Sequence, residues 1–489
     1  MTVSVPPVAM EAPPRLGTLG RLHRLLRSNW ITSTGAALMT LAVFGFATLA
    51  GMHVMGGAWA GPYVGIAMTL VAPLVFVLGL LLVPAGLLLF RRQLNERLAA
   101  MTHKPPFLPR AVVVLTAINF AAVGTVGYSG VHYMESVQFC GKACHHVMGP
   151  ELVAFERSPH SRVECVKCHI APGAQGFIEA KLNGTKQLLG VLLDDYRRPI
   201  PTPVHDLASA RVTCEQCHWP EKYLGTKLKV KPHFRTDEKV SGYTNVLLMR
   251  TGGTRPDGKA VGIHWHTHPD AVVEYVATDE QRTQIPWLRI VRPDGTQETF
   301  AVPGVAHEPP PAGELRRMDC NDCHNRSAHA FELPGDALDV AFANGLLPRD
   351  LPFLKRHAMA ALEAEWTREN APEGIRQHLQ AAYAEDGGID ELRRRKLEGA
   401  IEQVTDIWMR NIWPERKLGW NAYPDLATHF GCFRCHDGQH VSASGRTVFG
   451  PRLMPDGLPI RDGSCDKCHV VLSENEEDPA ILDTFGLGR

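Results

Sequence analysis

A short cysteine and histidine pattern recurs six times in this chain of 489 residues. Five copies have the form Cys-x-x-Cys-His, and one has a third spacer residue between its cysteines. Together the six copies use all twelve cysteines of the chain. In chain order, the copies consist of Cys140, Cys144 and His145; Cys165, Cys168 and His169; Cys214, Cys217 and His218; Cys320, Cys323 and His324; Cys432, Cys435 and His436; and Cys465, Cys468 and His469.

This spacing suits the covalent attachment of haem. Two thiols a short turn apart can each form a thioether with one porphyrin, and the next histidine then reaches the iron from the same face. A disulfide framework would not place a histidine after the second cysteine of every pair. A zinc ribbon needs only four ligands per metal and no following histidine. The pattern therefore predicts six covalent haem c groups, with the six motif histidines as iron ligands.

Three long stretches without charged residues precede the motifs, at 30–49, 61–90 and 111–134. About twenty apolar residues span a bilayer as a helix, so each stretch qualifies as a transmembrane segment. The first is too long for a signal-peptide core and lacks a clear cleavage site. Three buried core helices are the alternative that length alone leaves open. We expect a protein integral to the membrane.

The distribution of charge predicts the orientation of these segments. Residues 1–110 carry nine Arg or Lys and two Glu, a net charge of +7, so the remainder carries −7 and the chain is neutral. This asymmetry indicates two compartments and argues against a nucleic-acid partner. The connection at 52–61 contains no Lys or Arg, so the positive-inside rule places the N-terminus and residues 91–110 in the cytoplasm. The motifs then lie in the periplasm, and the protein is a multi-pass protein of the cell inner membrane.

The composition changes along the chain and suggests five regions. A β-hairpin is predicted at 287–302, where two β-prone runs flank an Asp-Gly turn. Helical spacing is visible at 358–369 and 388–409. The expected fold class is a mainly α, membrane-anchored multihaem cytochrome with three transmembrane helices, a haem-packed periplasmic domain and a small β-rich insertion. The regions are a three-helix transmembrane anchor at 1–134, a domain with three motifs at 135–218, the β-rich insertion at 219–315, the fourth motif at 316–335, and a helical region with the last two motifs at 336–489.

Several local sequences resemble the NapC/NirT family of membrane-anchored multihaem quinol dehydrogenases. The resemblance covers about residues 110–335, where an apolar stretch leads directly into the first motif. The additional helices, the β insertion and the two C-terminal motifs are more similar to the larger inner-membrane members. The matching residues are Phe139-Cys140, Cys144 to Met148, Pro159-His160, Cys165 to His169, Ala180-Lys181-Leu182, Thr185-Lys186, Gly190, Ala328-His329 and Leu333-Pro334.

The resemblance implies that the chain takes electrons from the membrane quinone pool, with quinol as substrate. It implies a periplasmic cytochrome or reductase as the partner that receives them. Lys181 matches a lysine that the family places near the quinol site, so it is the candidate catalytic residue. Met148 matches a methionine that can bind the first iron, although here it is displaced by one residue because His146 is inserted. An open or histidine-ligated first iron is the alternative.

Histidines outside the motifs are candidates for the opposite face of each iron. Low-spin haem needs a second strong ligand, and a histidine near a motif is the simplest source. For each one, a solvated surface histidine is the alternative. His264, His266 and His268 alternate along a segment expected to be extended, so they would face one side and form a metal site or supply one haem ligand. The candidates close to motifs are His160, His205, His307, His329, His429 and His440.

Two other functions stay open at this point. A terminal reductase of a small nitrogen compound would need one haem with an open face, and the unusual spacing at Cys140 satisfies part of that requirement. A pure electron conduit docked to another membrane complex would need no quinol site of its own. Reduction of the haems by a quinol analogue separates these functions from quinol oxidation.

Overall fold

The structure of the chain is a computed structural model. It describes residues 26–54, 71–92, 121, 124–125, 127–144, 146–202, 204, 207–219, 225–254, 260–268, 271–450 and 465–487. The chain divides into two compact units, Met1–Val147 and Met148–Arg489.

The first unit contains two long apolar helices that pack against each other. Helix α1 spans Trp30–Val54 and α2 spans Ala72–Leu89. Their backbones approach closely at two glycines, because a Cβ atom on Gly79 would lie 2.7 Å from the carbonyl oxygen of Gly35. Close contact through small residues is typical of helix pairs in membranes, where backbone proximity strengthens van der Waals packing.

The expected fold class, a mainly α protein with three transmembrane helices, is wrong. Helices make up 46% of the structure and strands 15%, and the strands form two antiparallel sheets. Within the described part of the chain, one helix is long and apolar enough to cross a membrane, Ala72–Leu89, and the apolar part of α1, Trp30–Phe46, is shorter. The prediction counted uncharged stretches by length alone. The structure describes the second stretch, 61–90, only from residue 71 onward, and most of the third stretch, 111–134, falls outside the described residues.

Short helices surround the first motifs of the second unit. Three of them are short because the motif turns and prolines interrupt them, and the fourth is long. These helices are α3 at Gly149–Glu156, α4 at Val166–His169, α5 at Gly173–Leu192 and α6 at Ala210–Cys214.

In the described part of the second unit, nine strands form two sheets. In the first sheet β2 pairs with β1, β3 and β9, and the second sheet has the order β7-β4-β5-β6-β8. The strands are β1 at Gly225–Phe234, β2 at Gly242–Thr254, β3 at Ala260–Val261, β4 at Val272–Val276, β5 at Trp287–Val291, β6 at Gln297–Ala301, β7 at Leu315–Arg317, β8 at Val441–Ser442 and β9 at His469–Glu476.

The predicted hairpin is confirmed in the second sheet. Trp287 lies opposite Ala301, and Val291 lies opposite Gln297. Gly295 in the turn has a φ of +79°, a left-handed conformation that favours glycine.

Three strands of the first sheet lie within the expected β-rich insertion at 219–315, but the pairing of β2 with β9 was not expected from the sequence. Strand β1 carries Lys227, Lys229 and Lys231, all exposed, which is a common way of protecting the edge of a sheet from aggregation. Strands β8 and β9 come from the region that was expected to be helical, and they complete both sheets. The helical prediction for 336–489 therefore missed strands whose pairing partners lie about 140 to 230 residues earlier in the chain.

A helical subdomain fills the interval between the fourth and fifth motifs. The helices predicted at 358–369 and 388–409 are confirmed with shifted boundaries. The second of them begins after Asp390, whose side chain accepts a hydrogen bond from the Arg393 amide at 2.8 Å. The core of this subdomain includes Leu338, Ile375 and Trp408, all buried. The helices of the subdomain are α7 at Pro334–Ala343, α8 at Leu354–Glu363, α9 at Ala371–Glu385 and α10 at Glu391–Asn411, and two short helices follow it, α11 at His429–Cys432 and α12 at Ile481–Thr484.

Candidate haem-binding site

Each cysteine motif of the second unit is one tight turn. In four of them the amide of the motif histidine donates a hydrogen bond to the carbonyl oxygen of the first cysteine. In the last motif the turn closes from Cys468 to Cys465 at 3.0 Å, because His469 already begins β9. Such a turn presents both thiols and the imidazole on one side. The four distances are 3.1 Å for His169 to Cys165, 2.8 Å for His218 to Cys214, 2.7 Å for His324 to Cys320 and 3.0 Å for His436 to Cys432.

Every motif histidine of the second unit faces a histidine from elsewhere in the chain. In each pair one ring belongs to a motif and the other does not. The ring centroids lie 6.1 Å apart for His169 and His329, 6.0 Å for His218 and His160, 6.2 Å for His324 and His264, 5.7 Å for His436 and His266, and 5.9 Å for His469 and His429.

These separations match two imidazoles bound to one iron. An imidazole nitrogen binds a metal ion at about 2 Å, and the ring centre lies about 1 Å beyond the nitrogen, so two rings on opposite faces have centroids about 6 Å apart. Direct packing of two histidine rings has no reason to repeat one spacing five times. The residues present therefore fit haem c with two histidine ligands at five motifs.

Backbone carbonyl groups fix the orientation of five of these ten rings. A hydrogen bond from Nδ1 directs Nε2 to the opposite side of the ring, toward the paired histidine. Metal-binding histidines commonly have such a partner, because it fixes the tautomer and the ring orientation. The carbonyl oxygens are those of Ser327 for His160 at 3.0 Å, Glu151 for His329 at 3.0 Å, Thr251 for His264 at 2.8 Å, Ile263 for His266 at 2.7 Å and Phe449 for His436 at 2.6 Å.

Burial keeps several of these imidazoles neutral. It lowers the pKa of His264, His266, His324 and His329, and it lowers the pKa of His436 to about 4. Neutral imidazole is the form that binds metal ions. The paired rings are thus in the protonation state that ligation requires.

Two ligand candidates come from one short turn that had been expected to be extended. His264 and His266 lie in a 3-10 turn, Ile263–Thr267, and they face two different motif histidines. The expectation of a shared face is wrong for these two residues, because a 3-10 turn rotates each successive side chain about the axis. No group of three or more metal-binding side chains occurs within the described part of the chain. The signal that could have found both ligands is the His-x-His spacing.

Other predicted residues are not brought to a motif histidine. The Nε2 atom of His307 lies 2.8 Å from the carbonyl oxygen of Val441. Buried His440 has Nδ1 at 3.0 Å from an Asp437 carboxylate oxygen and Nε2 at 2.7 Å from the carbonyl oxygen of Ile285. Both nitrogens of His440 therefore face protein oxygens, which leaves neither of them directed at an iron.

The remaining predicted residues lie apart from these pairs. His145, His205 and the side chain of Cys144 are outside the described residues. Met148 ends a 3-10 turn and precedes α3. Lys181 lies on α5, with its Nζ atom 4.9 Å from the centre of the Phe177 ring.

The five motifs follow one another in space in the order of the chain. Helix α6, which ends at Cys214, contacts both α4 and the turn at Cys320. A hydrogen bond with Cys320 lowers the pKa of Cys214, so these cysteines of two motifs are neighbours. Cys432 in turn lies close enough to Cys323 and Cys468 for their charges to interact. The motifs form a continuous series.

A series of cysteine motifs with paired histidines defines a multihaem c-type cytochrome. The chain is 34% identical over 437 residues to the cytochrome c-type protein ImcH of Geobacter sulfurreducens, an alignment that covers 85% of this chain and 83% of that protein. The chain belongs to the family of c-type cytochromes that includes ImcH, and this membership implies covalently bound haem c. No protein-family model and no solved structure matches the chain.

Proposed function

We propose that this cytochrome oxidises membrane quinol and passes the electrons along six haem c groups to a periplasmic cytochrome or reductase. Bound haem c supplies reversible one-electron chemistry at its iron. The observation that carries the proposal is the set of five histidine pairs, because two strong ligands at one iron favour electron transfer over substrate binding.

The residues of the five pairs hold and orient the cofactors. The cysteines of each motif would form the thioethers, and the motif histidine and the paired histidine would bind the iron. Rings whose Nδ1 atoms are bonded to backbone carbonyls are held in this orientation. The order of the motifs would give electrons a path from Cys165 to Cys468, because cysteines of consecutive motifs lie close to each other.

The first motif is assigned to the sixth haem. Its ligands in this proposal are His145 and Met148. In this proposal two histidines occupy each of the other five irons, so an open iron face is restricted to the first motif. The terminal-reductase alternative therefore depends on Cys140, Cys144 and His145 alone. A resemblance to quinol dehydrogenases, which also place their first motif directly after an apolar stretch, favours quinol oxidation over that alternative.

Lys181 is proposed to donate a hydrogen bond to the quinol head group. It lies on α5, where Ile178, Leu182 and Leu189 are all more than half exposed. An apolar flank beside a cation suits a substrate with a polar ring and a lipid tail. The lysine could also assist proton release, because quinol oxidation yields two protons with its two electrons.

The protein is proposed to be anchored in the inner membrane. Helix α2 is long and apolar enough to cross a bilayer, and Leu74, Leu81 and Leu88 on it are 62–69% exposed. Its close contact with α1 at Gly35 and Gly79 supports the same assignment. Haem attachment then requires the motifs to lie on the periplasmic side.

The test is anaerobic reduction of the purified full-length protein by a water-soluble menaquinol or ubiquinol analogue, followed by haem absorbance. We expect rapid reduction in the wild type, strong slowing in Lys181→Leu and no effect of Lys186→Leu, an exposed position on the same helix. Dithionite should reduce all three proteins equally.

Two results would contradict the proposal in different ways. No reduction by quinol with full reduction by dithionite would favour a pure electron conduit. Normal quinol kinetics in Lys181→Leu would exclude Lys181 while leaving quinol oxidation intact.

A further inference from the structure

Arg211 lies where two cysteine motifs meet. It is on α6, three residues before Cys214. The neighbouring amide of Ala210 donates a hydrogen bond to Asp319 at 3.2 Å, immediately before the turn at Cys320. This position therefore lies next to two cofactor-attachment sites, one at Cys214 and one at Cys320.

One edge of the Arg211 guanidinium is buried with no hydrogen-bond partner. Both Nε and Nη2 are inaccessible to solvent and unpaired, whereas Nη1 lies 3.8 Å from a carboxylate oxygen of Glu215. Nε and Nη2 point in the same direction, and their spacing matches the two oxygens of a carboxylate. Buried donors are nearly always paired in folded proteins, so an unpaired edge indicates a missing acceptor.

Carboxylates of the protein nearby are already engaged. Asp319 accepts hydrogen bonds from the amides of Ala210 and Asn321. Asp322 accepts them from Tyr275 and Arg282. The Glu215 carboxylate approaches only Nη1, so no acceptor among the described residues meets Nε or Nη2.

Two other arginines, Arg326 and Arg434, do not present the same unpaired edge. Arg326 has an unpaired buried Nε, but both of its Nη atoms donate to the protein, to Asn421 and to the carbonyl oxygen of Phe331. Arg434 donates from Nε, Nη1 and Nη2 to three backbone carbonyl oxygens. Of these three arginines, Arg211 alone offers two adjacent donors without a partner.

We propose that the Nε and Nη2 edge of Arg211 is a carboxylate-binding site that holds one propionate of a haem c attached at this or an adjoining motif. Each haem carries two propionates, which are the carboxylates that such a cofactor brings into its own site. The pairing would place a buried positive charge beside the cofactor and stabilise its reduced form. The inference rests on covalent haem binding and is independent of the quinol site.

The test compares Arg211→Leu and Arg211→Lys with the wild type, as full-length haem-loaded proteins. Arg162→Leu, at an exposed position, is the control. Spectropotentiometric titration should show one haem component in Arg211→Leu shifted to lower potential by about tenfold in its redox equilibrium, or 59 mV for one electron. Resonance Raman spectra should show a shifted propionate bending band in both Arg211 variants, because lysine keeps the charge but cannot bind both oxygens.

Unchanged potentials and unchanged propionate bands in both Arg211 variants would overturn the proposal and indicate that a buried water satisfies the edge. If Arg211→Leu does not load haem, Arg211→Lys decides by its Raman band alone. Both readouts are obtained without quinol, with dithionite as the reductant, so failure here and failure of quinol oxidation are distinguishable.

Discussion

Removal of His266 should convert one haem from low to high spin. His266 is partly buried, and its ring centroid lies 5.7 Å from that of His436. The substitution His266→Ala leaves His436 as the single protein ligand of that iron. Since five pairs are present, one fifth of the bis-histidine signal should be lost and one high-spin signal should appear.

Electron paramagnetic resonance of the oxidised protein, calibrated to haem content, measures this change. Added imidazole should restore the low-spin signal, because the substitution leaves a cavity the size of the missing ring. His264→Ala should affect a different haem, and the double variant should lose two fifths of the signal. His307→Ala is the control, since its ring bonds the carbonyl oxygen of Val441. An unchanged low-spin signal in a fully loaded His266→Ala protein would refute the pairing.

Two further perturbations follow from the packing. Gly79→Leu should lower the thermal stability of the detergent-solubilised protein by about 1–3 kcal/mol, because its side chain would displace the neighbouring helix, whereas Gly45→Leu, with open space around it, should have little effect. Lys355→Met should cost about 3–5 kcal/mol in urea unfolding, because it removes the cationic partner of the buried Asp339 carboxylate, whereas Lys239→Met at an exposed position should not. Equal stability of either variant and its control would contradict the corresponding contact.

The sequence was most informative where the structure is local. A Cys-x-x-Cys-His motif is one turn, and its geometry depends on five consecutive residues. The hairpin at 287–302 was also predictable, because an Asp-Gly turn and flanking β-prone residues act over short distances. In both cases the interactions lie within a few residues of each other.

The pairing of histidines is not local and was not predictable. His160 precedes Cys165 by five residues, yet its ring faces His218, and His329 faces His169 although it follows His324. Each of these histidines therefore pairs with the histidine of a neighbouring motif and not with that of the motif nearest to it in sequence.

Contacts between residues that are distant in sequence also explain the sheets and the predicted histidines that pair with no motif histidine. Strand β9 pairs with β2 across more than 200 residues of sequence, which no local pattern indicates. His440 lies near a motif as expected, but tertiary contacts with Asp437 and Ile285 engage both of its nitrogens.

The most direct test of the account is a near-infrared magnetic circular dichroism spectrum of the oxidised full-length protein, calibrated against haem content. This measurement separates haems with two histidine ligands from those with histidine and methionine or with an open face. We expect six haems, five of them with two histidine ligands and the sixth, at the first motif, with a different near-infrared spectrum. Fewer than five bis-histidine haems in a fully loaded protein would contradict the paired geometry on which the proposed function depends.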